Sequence, residues 1–425
     1  MKAQIHTLKN GLRVILIDTK AFPTLTTLLL LGAGSRYENK KNNGIAHFFE
    51  HMAFKGSKKY PNSFIISSAI ESLGGIFNAF TSKDHTGYWI KATSQHFDTL
   101  TDVLSDMVLN SFLRDEEIER EKGVIVEELN LYEDTPYRKV GELFEELLYP
   151  DSPLGFDIGG TKETVKSFSR KTFTDYMVNL YHPKNAVFII AGGMDKAKNY
   201  LELVEEKFKH WQDGKKGDFE KVVEKQNKPK LLLRYKKTEQ THFCLGFRAY
   251  SFSDERKYAA SLLSVILGGG MSSRLFMEVR EKRGLCYYIS TGRESYHDVG
   301  NFVTHAGVTN SLDKVKEAIE VILKEHKKIV KNEATKEELN KAKEVIKGQM
   351  LLSLEDSFNV ANFFGTKLIL RDHIITPEEY IEKIEAVRLE DIFAAAEDMF
   401  KPEKLNLALI GPYKSENEFE KVLTV

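Results

Sequence analysis

The sequence predicts an α+β protein made of two homologous domains, each a mixed or antiparallel sheet with helices packed on it, related by internal duplication. The chain has 425 residues, which is more than one hydrophobic core usually supports. Short β-rich runs, LRVILID and TLLLLGAG, open it. A helical stretch, a Pro turn and an apolar strand then occur twice, in FTDYMVNLYHPKNAVFIIAGG and FAAAEDMFKPEKLNLALIG. The second half is therefore predicted to be a diverged copy of the first.

A charged, glycine-containing segment, WQDGKKGDFEKVVEKQNK, interrupts the apolar patterns in the middle of the chain. Such composition is typical of an exposed linker. We predict an N-terminal domain over residues 1–212, a linker over 213–228 and a C-terminal domain over 229–425.

Composition excludes several classes of partner. The chain has 61 Lys and Arg against 62 Asp and Glu, so we expect neither nucleic acid nor a membrane as a partner. Cys244 and Cys286 are too few for a disulfide framework and lack CxxC spacing. The start of the chain has no secretory pattern, and the longest apolar stretch, near residues 25–33, is too short to span a bilayer. These features predict a cytoplasmic protein.

The segment NNGIAHFFEHMAFKGS reads as a helix that asparagines cap and that ends at Gly56. His47, Glu50 and His51 have the spacing i, i+3, i+4, which places them on one stripe beside the apolar face. Two imidazoles on such a stripe can converge on one metal ion, with Glu50 next to it. The same three residues can also meet by chance on a surface helix, so a third ligand has to be found independently. The apolar face consists of Ile45, Phe48, Phe49 and Met52.

A helix predicted from Asp115 to Glu133 supplies that third ligand. Glu121 and Glu128 lie two turns apart on its buried side, whereas Glu127 points to solvent. A buried carboxylate needs a partner. We therefore assign Glu128 as a metal ligand and Glu121 as the residue that orients a ligand or the water. The apolar residues taken to define the buried side are Ile118, Val124, Ile125, Leu129 and Tyr132.

This set of ligands predicts a catalytic metal site with one Zn²⁺ per chain. Two histidines and one glutamate leave a fourth position for water, whereas structural zinc sites fill all four positions with Cys and His. Glu50 would be the general base on the zinc-bound water, and it would later pass the proton to the leaving amine.

Three segments carry a resemblance to a known family: HFFEHMAFKGS, GGIFNAFTSKDHTGYW and EREKGVIVEELNLYEDTP. They resemble the pitrilysin family of zinc metallopeptidases, the inverzincins, whose HxxEH motif inverts the commoner HExxH. The resemblance extends across nearly the whole chain and is closest to the half-length bacterial branch that is similar to mitochondrial processing peptidase. It implies that His47 and His51 bind zinc with Glu128 and that Glu50 is the base.

A further match lies in SSRLFMEVREKRGLCYYIS, where a helix should end at Gly284 and a strand should start at Leu285. Arg280 and Tyr287 match the Arg/Tyr pair that the family uses to hold substrate carbonyls and steady the tetrahedral intermediate. The alternative is that Arg280 only counters the helix dipole while Tyr287 packs.

The run Ile76–Thr81 is predicted to be a strand. In the family, the equivalent strand lies at a sheet edge and pairs with the peptide substrate, which implies substrate-binding roles for Asn78, Ala79 and Phe80. An ordinary core strand is the alternative.

The resulting hypothesis is a zinc-dependent endopeptidase that hydrolyses short or unfolded peptides inside a closed chamber. Full-length relatives in the family carry twice as many domains, so we expect this chain to form a homodimer. Each active site would then consist of residues from both subunits or from one. A heterodimer with an inactive sister subunit is the alternative. Two other functions remain open: a non-catalytic structural or processing-complex subunit of the same fold, and a zinc hydrolase with a non-peptide substrate.

Overall fold

The fold is described from a computed structural model, for residues 2–195, 197–214 and 217–423. Its strands are β1 (Gln4–Thr7), β2 (Arg13–Asp18), β3 (Thr24–Leu31), β4 (Ile76–Thr81), β5 (Thr86–Thr93), β6 (Ala186–Gly192), β7 (Lys230–Tyr235), β8 (Gln240–Ala249), β9 (Cys286–Ser295), β10 (Gly300–Thr309) and β11 (Leu405–Gly411). Its α-helices are α1 (Ile45–Ala53), α2 (Ser63–Glu71), α3 (Phe97–Leu109), α4 (Asp115–Glu133), α5 (Pro136–Leu148), α6 (Lys162–Ser167), α7 (Arg170–Leu180), α8 (Tyr200–Phe208), α9 (Lys257–Gly268), α10 (Leu312–Val330), α11 (Lys336–Ser353), α12 (Ser357–Arg371), α13 (Pro377–Ala386), α14 (Leu389–Met399) and α15 (Asn417–Glu420).

The chain forms two compact units, each with one sheet. The first consists of residues up to 129, 156–220 and 351–378, and the second of residues 130–155, 221–350 and those from 379 onward. The first sheet has the strand order β1-β2-β6-β3-β5-β4, and the second has the order β7-β11-β8-β10-β9.

The two sheets repeat one topology, which confirms the predicted duplication. In chain order, β2 to β6 correspond to β7 to β11, and their spatial orders β2-β6-β3-β5-β4 and β7-β11-β8-β10-β9 are the same. The parallel pair also recurs, as β2 with β6 and as β7 with β11, while the other pairs are antiparallel. Only β1 has no counterpart among the strands described.

Each unit contains one helix from the opposite half of the chain. The early helix α5 packs on β8 and β11 of the second sheet, and the late helix α12 packs on β3 and β6 of the first. The division predicted from the sequence, residues 1–212, 213–228 and 229–425, differs from the observed units by the segments that carry these helices. The physical reason is that each sheet has two apolar faces, and one of them is covered by the exchanged helix.

The first sheet shows this burial on both faces. Alternate strand residues such as Val14, Leu29 and Phe188 belong to the core shared with α1 and α3, whereas Leu30 and Ile189 point the other way, toward α12. A Cβ at Gly365 of α12 would lie 2.7 Å from Leu30 and 2.8 Å from Ile189. Glycine at this position therefore lets the helix approach the sheet closely.

The edges of the first sheet matter for the site. Among the strands described, β4 is hydrogen-bonded to β5 alone, so its outer row of backbone groups lies at a sheet edge. An edge position is what the predicted substrate strand requires. Among the described residues, no helix combines the length and apolarity needed to cross a bilayer.

Candidate metal centre

Helix α1 presents the predicted stripe of polar residues beside a fully packed apolar face. Its apolar residues are at most 1% exposed, which confirms the periodicity argument. The side chains of His47 and His51 are 14% and 21% exposed, so both imidazoles remain accessible to a small ion or to water. The packed residues are Ile45, Phe48, Phe49 and Met52.

The start of α1 is capped in a way that the sequence did not predict. Gly44 takes the N-cap position with φ +96°, which favours glycine. The buried carboxylate of Glu38 accepts hydrogen bonds from the backbone N–H of Gly44 and of Ala46, both at 2.8 Å, and from the Asn43 side chain at 3.0 Å. Burial raises the pKa of Glu38 to about 8, against these hydrogen bonds, which lower it. Glu38 therefore satisfies N–H groups at the start of the helix that carries the histidines.

We expect Glu38→Gln to destabilise the first unit. The amide group keeps one oxygen acceptor but turns an N–H₂ group toward a buried backbone donor, which should cost about 1–3 kcal/mol. Urea denaturation of the metal-free protein measures this cost. Glu116→Gln, at an exposed position in the first turn of α4, is the matched control. Equal stability of the two variants would contradict the capping role.

Helix α4 spans Asp115–Glu133, as predicted, and its buried residues are Ile118, Glu121, Ile125 and Leu129. The prediction that Val124 belongs to this buried side was wrong, because its side chain is 48% exposed. Successive residues are rotated by 100° around the axis of α4. In this projection Glu128 lies at the edge of the buried stripe, and Val124 lies farther around the helix, toward solvent. Glu127 is exposed, and Glu128 is 24% exposed. The carboxylate of Glu128 therefore stands where the packed side of α4 meets solvent.

The structure brings together His47, His51 and Glu128. Oε2 of Glu128 lies 3.7 Å from Nε2 of His47 and 3.4 Å from Nε2 of His51. One ligand atom of each residue lies within 4.8 Å of the others. Two ligand atoms of a tetrahedral zinc ion, each about 2.1 Å from it, lie about 3.4 Å apart. The observed spacing therefore suits a single ion of this kind.

Glu121 orients one of these histidines. Its Oε1 lies 2.9 Å from Nδ1 of His51, and its Oε2 lies 2.6 Å from Nζ of Lys55. A proton on Nδ1 is held by this carboxylate, and Nε2 is left to face Glu128 and a metal. Burial raises the pKa of Glu121, but its hydrogen bonds with His51 and Lys55 outweigh burial and lower it. These contacts favour the carboxylate form of Glu121, which accepts from the imidazole.

The two neighbouring carboxylates also act on His51. Burial lowers the pKa of His51, but hydrogen bonds to Glu121 and Glu128 outweigh it and raise the pKa to about 9. The two carboxylates therefore favour a positive charge at this position. This is the electrostatic environment expected of a site for a positive ion, and two imidazoles with one carboxylate fit zinc.

Glu50 lies beside this cluster and has a hydrogen-bond donor of its own. The hydroxyl of Thr81, at the end of β4, donates to Oε2 of Glu50 at 2.6 Å. Burial raises the pKa of Glu50, against the Thr81 hydrogen bond, which lowers it. A carboxylate with a raised pKa exchanges protons more readily near neutral pH. Sequence reasoning assigned Glu50 but missed Thr81, as it missed Lys55 and Glu38.

The predicted substrate strand has its residues on two faces. Ala79 is buried in the core that includes α1, and Phe77 packs against Phe54 with ring centroids 5.6 Å apart. Asn78 is exposed, and its Oδ1 accepts a hydrogen bond from the backbone N–H of Ala79 at 2.8 Å. Phe80 is half-buried on the other face, 6.4 Å from the Phe358 ring of α12.

Arg280 and Tyr287 lie in the second unit. A six-residue π-helix ends at Glu281, Gly284 has φ +60°, and β9 starts at Cys286, one residue later than predicted. The Arg280 guanidinium carbon is 5.7 Å from the Tyr287 ring centroid. Tyr287 is 73% exposed, so its side chain does not pack into the core of its unit. Arg280 is half-buried, so the pair joins a half-buried cation to an exposed phenol.

The fold and the metal centre define the class of protein. Residues 13–162 match the family model described as Insulinase (Peptidase family M16), and residues 167–346 match the model described as Peptidase M16 inactive domain. The chain belongs to peptidase family M16, and the resemblance to pitrilysin-type peptidases is confirmed.

Relatives of similar length bear names of the same class. A protein of Bacillus subtilis (strain 168), named uncharacterized zinc protease YmxG, is 36% identical, over 96% of this chain and 98% of that protein. An uncharacterized zinc protease of Rickettsia bellii is 33% identical, over 96% and 97%. Among solved structures, a protease from Helicobacter pylori has a TM-score of 0.90 at 24% identity, over 97% of this chain and 100% of that one. A chain of complex III2 from Candida albicans has a TM-score of 0.86 at 18% identity, over 99% and 100%. These two structures share the fold.

Proposed function

We propose that this protein is a zinc-dependent endopeptidase that hydrolyses short or unfolded peptides inside a closed chamber, with one Zn²⁺ per chain. The observation that carries the proposal is the convergence of His47, His51 and Glu128 on one point, with Glu50 beside them. Zinc, when bound, supplies Lewis acidity, which lowers the pKa of water to about 7 and polarises a carbonyl.

In this proposal each residue has a distinct chemical task. His47, His51 and Glu128 hold the metal, and Glu121 keeps the His51 ring in the orientation that points Nε2 toward it. Glu50 accepts a proton from the attacking water, whose oxygen bonds to the scissile carbonyl carbon. The Glu50 carboxylic acid then returns the proton to the leaving nitrogen as the C–N bond breaks.

The substrate would bind by extending the first sheet. Strand β4 has an edge, so a peptide can pair with its backbone and bind with little dependence on sequence. The exposed amide of Asn78 and the half-buried ring of Phe80 would contact side chains or carbonyls of that peptide, and Ala79 would contribute its backbone. Such binding requires an extended chain, which favours short or unfolded substrates.

Arg280 and Tyr287 would bind substrate carbonyls and stabilise negative charge on the reacting oxygen. The exposure of Tyr287 and its contact with Arg280 support this assignment. The resemblance to full-length relatives with twice as many domains supports a homodimer. In it, Arg280 and Tyr287 would act on a substrate bound by their own subunit or by the partner subunit.

Peptide digestion tests the proposed activity. We expect the purified protein to cleave a mixture of unstructured peptides, as read by mass spectrometry, and to leave a stably folded protein intact. A zinc chelator should abolish cleavage, and added zinc should restore it. A fully zinc-loaded protein that cleaves no peptide would contradict the proposal.

A second function has specific support. Residues 167–346 match a model named for an inactive domain, and a complex III2 chain shares the fold, so a non-catalytic structural or processing-complex subunit is the alternative. The metal ligands and Glu50 all lie in residues 13–162, which match the insulinase model. A subunit with no catalytic role has no need for this complete set. Zinc below stoichiometry after mild purification would favour the structural alternative.

A further inference from the structure

The general base and the substrate strand are joined by one side chain. Thr81 is the last residue of β4, where it pairs with Thr86 of β5, and its hydroxyl donates to Glu50 at 2.6 Å. A second contact between the same strand and the α1 region is the ring pair of Phe77 and Phe54. Movement of β4 relative to α1 therefore changes the surroundings of Glu50 directly.

We propose that Thr81 is a positioning residue that couples peptide pairing along β4 to the orientation of the Glu50 carboxylate. The inference rests on the proposed peptidase function and deepens it. Under it, a peptide paired along the edge of the sheet narrows the range of Glu50 orientations that the Thr81 hydrogen bond already favours.

A glutamate side chain has rotational freedom at its carboxylate group. The terminal torsion of Glu is broad and roughly two-fold, so either carboxylate oxygen can face the water. A hydrogen bond from Thr81 to Oε2 removes this freedom and leaves Oε1 as the proton acceptor. Threonine suits the task because its branched Cβ restricts χ1, so its hydroxyl direction follows the strand backbone.

In the part of the chain that the structure describes, β4 has no neighbouring strand on its outer side. A strand paired on one side only is held less firmly than a central one. An added peptide strand would supply hydrogen bonds on that side. The backbone at Thr81, and with it the hydroxyl, would then occupy a narrower range of positions.

Substitutions at Thr81 separate positioning from simple packing. Thr81→Val keeps the shape and removes the donor, and Thr81→Ser keeps the donor. Loss of a hydrogen bond to a charged group corresponds to a roughly ten- to hundred-fold effect. We expect Thr81→Val to lower kcat by this factor with KM and zinc content unchanged, and Thr81→Ser to stay within about three-fold of wild type. Thr93→Val, which removes an exposed hydroxyl at the end of β5, is the control.

The coupling itself is measured with two fluorogenic peptides that share a cleavage site. One is long enough to pair along β4, and the other is truncated to the residues next to the scissile bond. For wild type we expect a higher kcat on the long peptide; for Thr81→Val this advantage in kcat should disappear, while the advantage in KM remains. An unchanged kcat in Thr81→Val, or the same length advantage in both proteins, would overturn the inference and leave the peptidase function standing. If zinc-loaded wild type cleaves neither peptide, the proposed function fails and the inference fails with it.

Discussion

Glu50→Gln is expected to lower kcat on peptides by about 10²- to 10⁴-fold while zinc stays bound. The amide has nearly the shape of the carboxylate and can still accept a hydrogen bond from Thr81, but it cannot take a proton from water. Because the proposed metal ligands are His47, His51 and Glu128, the metal content should match wild type. Peptide cleavage rates and metal analysis on the same sample measure both effects.

The matched control for this variant is Glu127→Gln. Glu127 is exposed on α4, next to the proposed ligand Glu128, so this substitution changes the charge near the site without touching the metal or the base. Its rate should equal that of wild type. Substantial activity in Glu50→Gln would exclude Glu50 as the general base, and loss of zinc from it would show that Glu50 is a ligand instead.

Mixing two inactive variants should restore activity if the active site is shared between subunits. Glu50→Gln lacks the base, and Tyr287→Phe lacks the phenol donor, whose loss should cost about 10²- to 10³-fold by analogy with other donors to a developing oxyanion. Each variant alone is then nearly inactive. In a mixed homodimer with shared sites, one site would contain both wild-type residues, so activity should rise to about a quarter of that of wild type under full subunit exchange.

The experiment is read as activity against time after mixing, under conditions that exchange subunits. Tyr235→Phe, at an exposed position at the end of β7, is the control for removal of a phenol oxygen and should keep full activity. A mixture that stays inactive, although labelled subunits have exchanged, would contradict site sharing and would assign each site to one chain.

The parts of this protein that follow a helical period could be predicted from the sequence. Glu50 and the two histidines of α1 were placed correctly because one short helix carries them beside a regular apolar stripe. Glu128 was identified because α4 carries its own stripe. The error at Val124 arose from the same reasoning, because the buried stripe on α4 is narrower than the set of apolar residues along that helix.

The contacts that the sequence did not reveal join separate segments of chain. Lys55 lies four residues after His51, but α1 ends at Ala53, before the predicted end at Gly56, so the helical stripe does not reach Lys55. Thr81 lies two residues after Ala79 and shares its face of the strand, yet only the packing of β4 beside α1 brings it to Glu50. Glu38 caps α1 from a loop, and no spacing rule connects a loop carboxylate to a helix that starts several residues later.

The exchange of α5 and α12 also lay beyond the sequence. An amphipathic pattern shows that a helix buries one face but does not show against which sheet. With two sheets of the same topology, both helices had two candidate partners. Consequently the duplication was predictable from repeated motifs, whereas the composition of each unit was not.

X-ray absorption at the zinc edge tests the central claim most directly, namely that two histidines and one glutamate hold a catalytic zinc ion. We expect about one zinc per chain in wild type, a coordination shell of nitrogen and oxygen atoms only, and a large loss of zinc in Glu128→Gln. A sulfur shell at about 2.3 Å, which would indicate Cys244 or Cys286 as a ligand, would contradict it. Unchanged zinc binding in Glu128→Gln would contradict it equally.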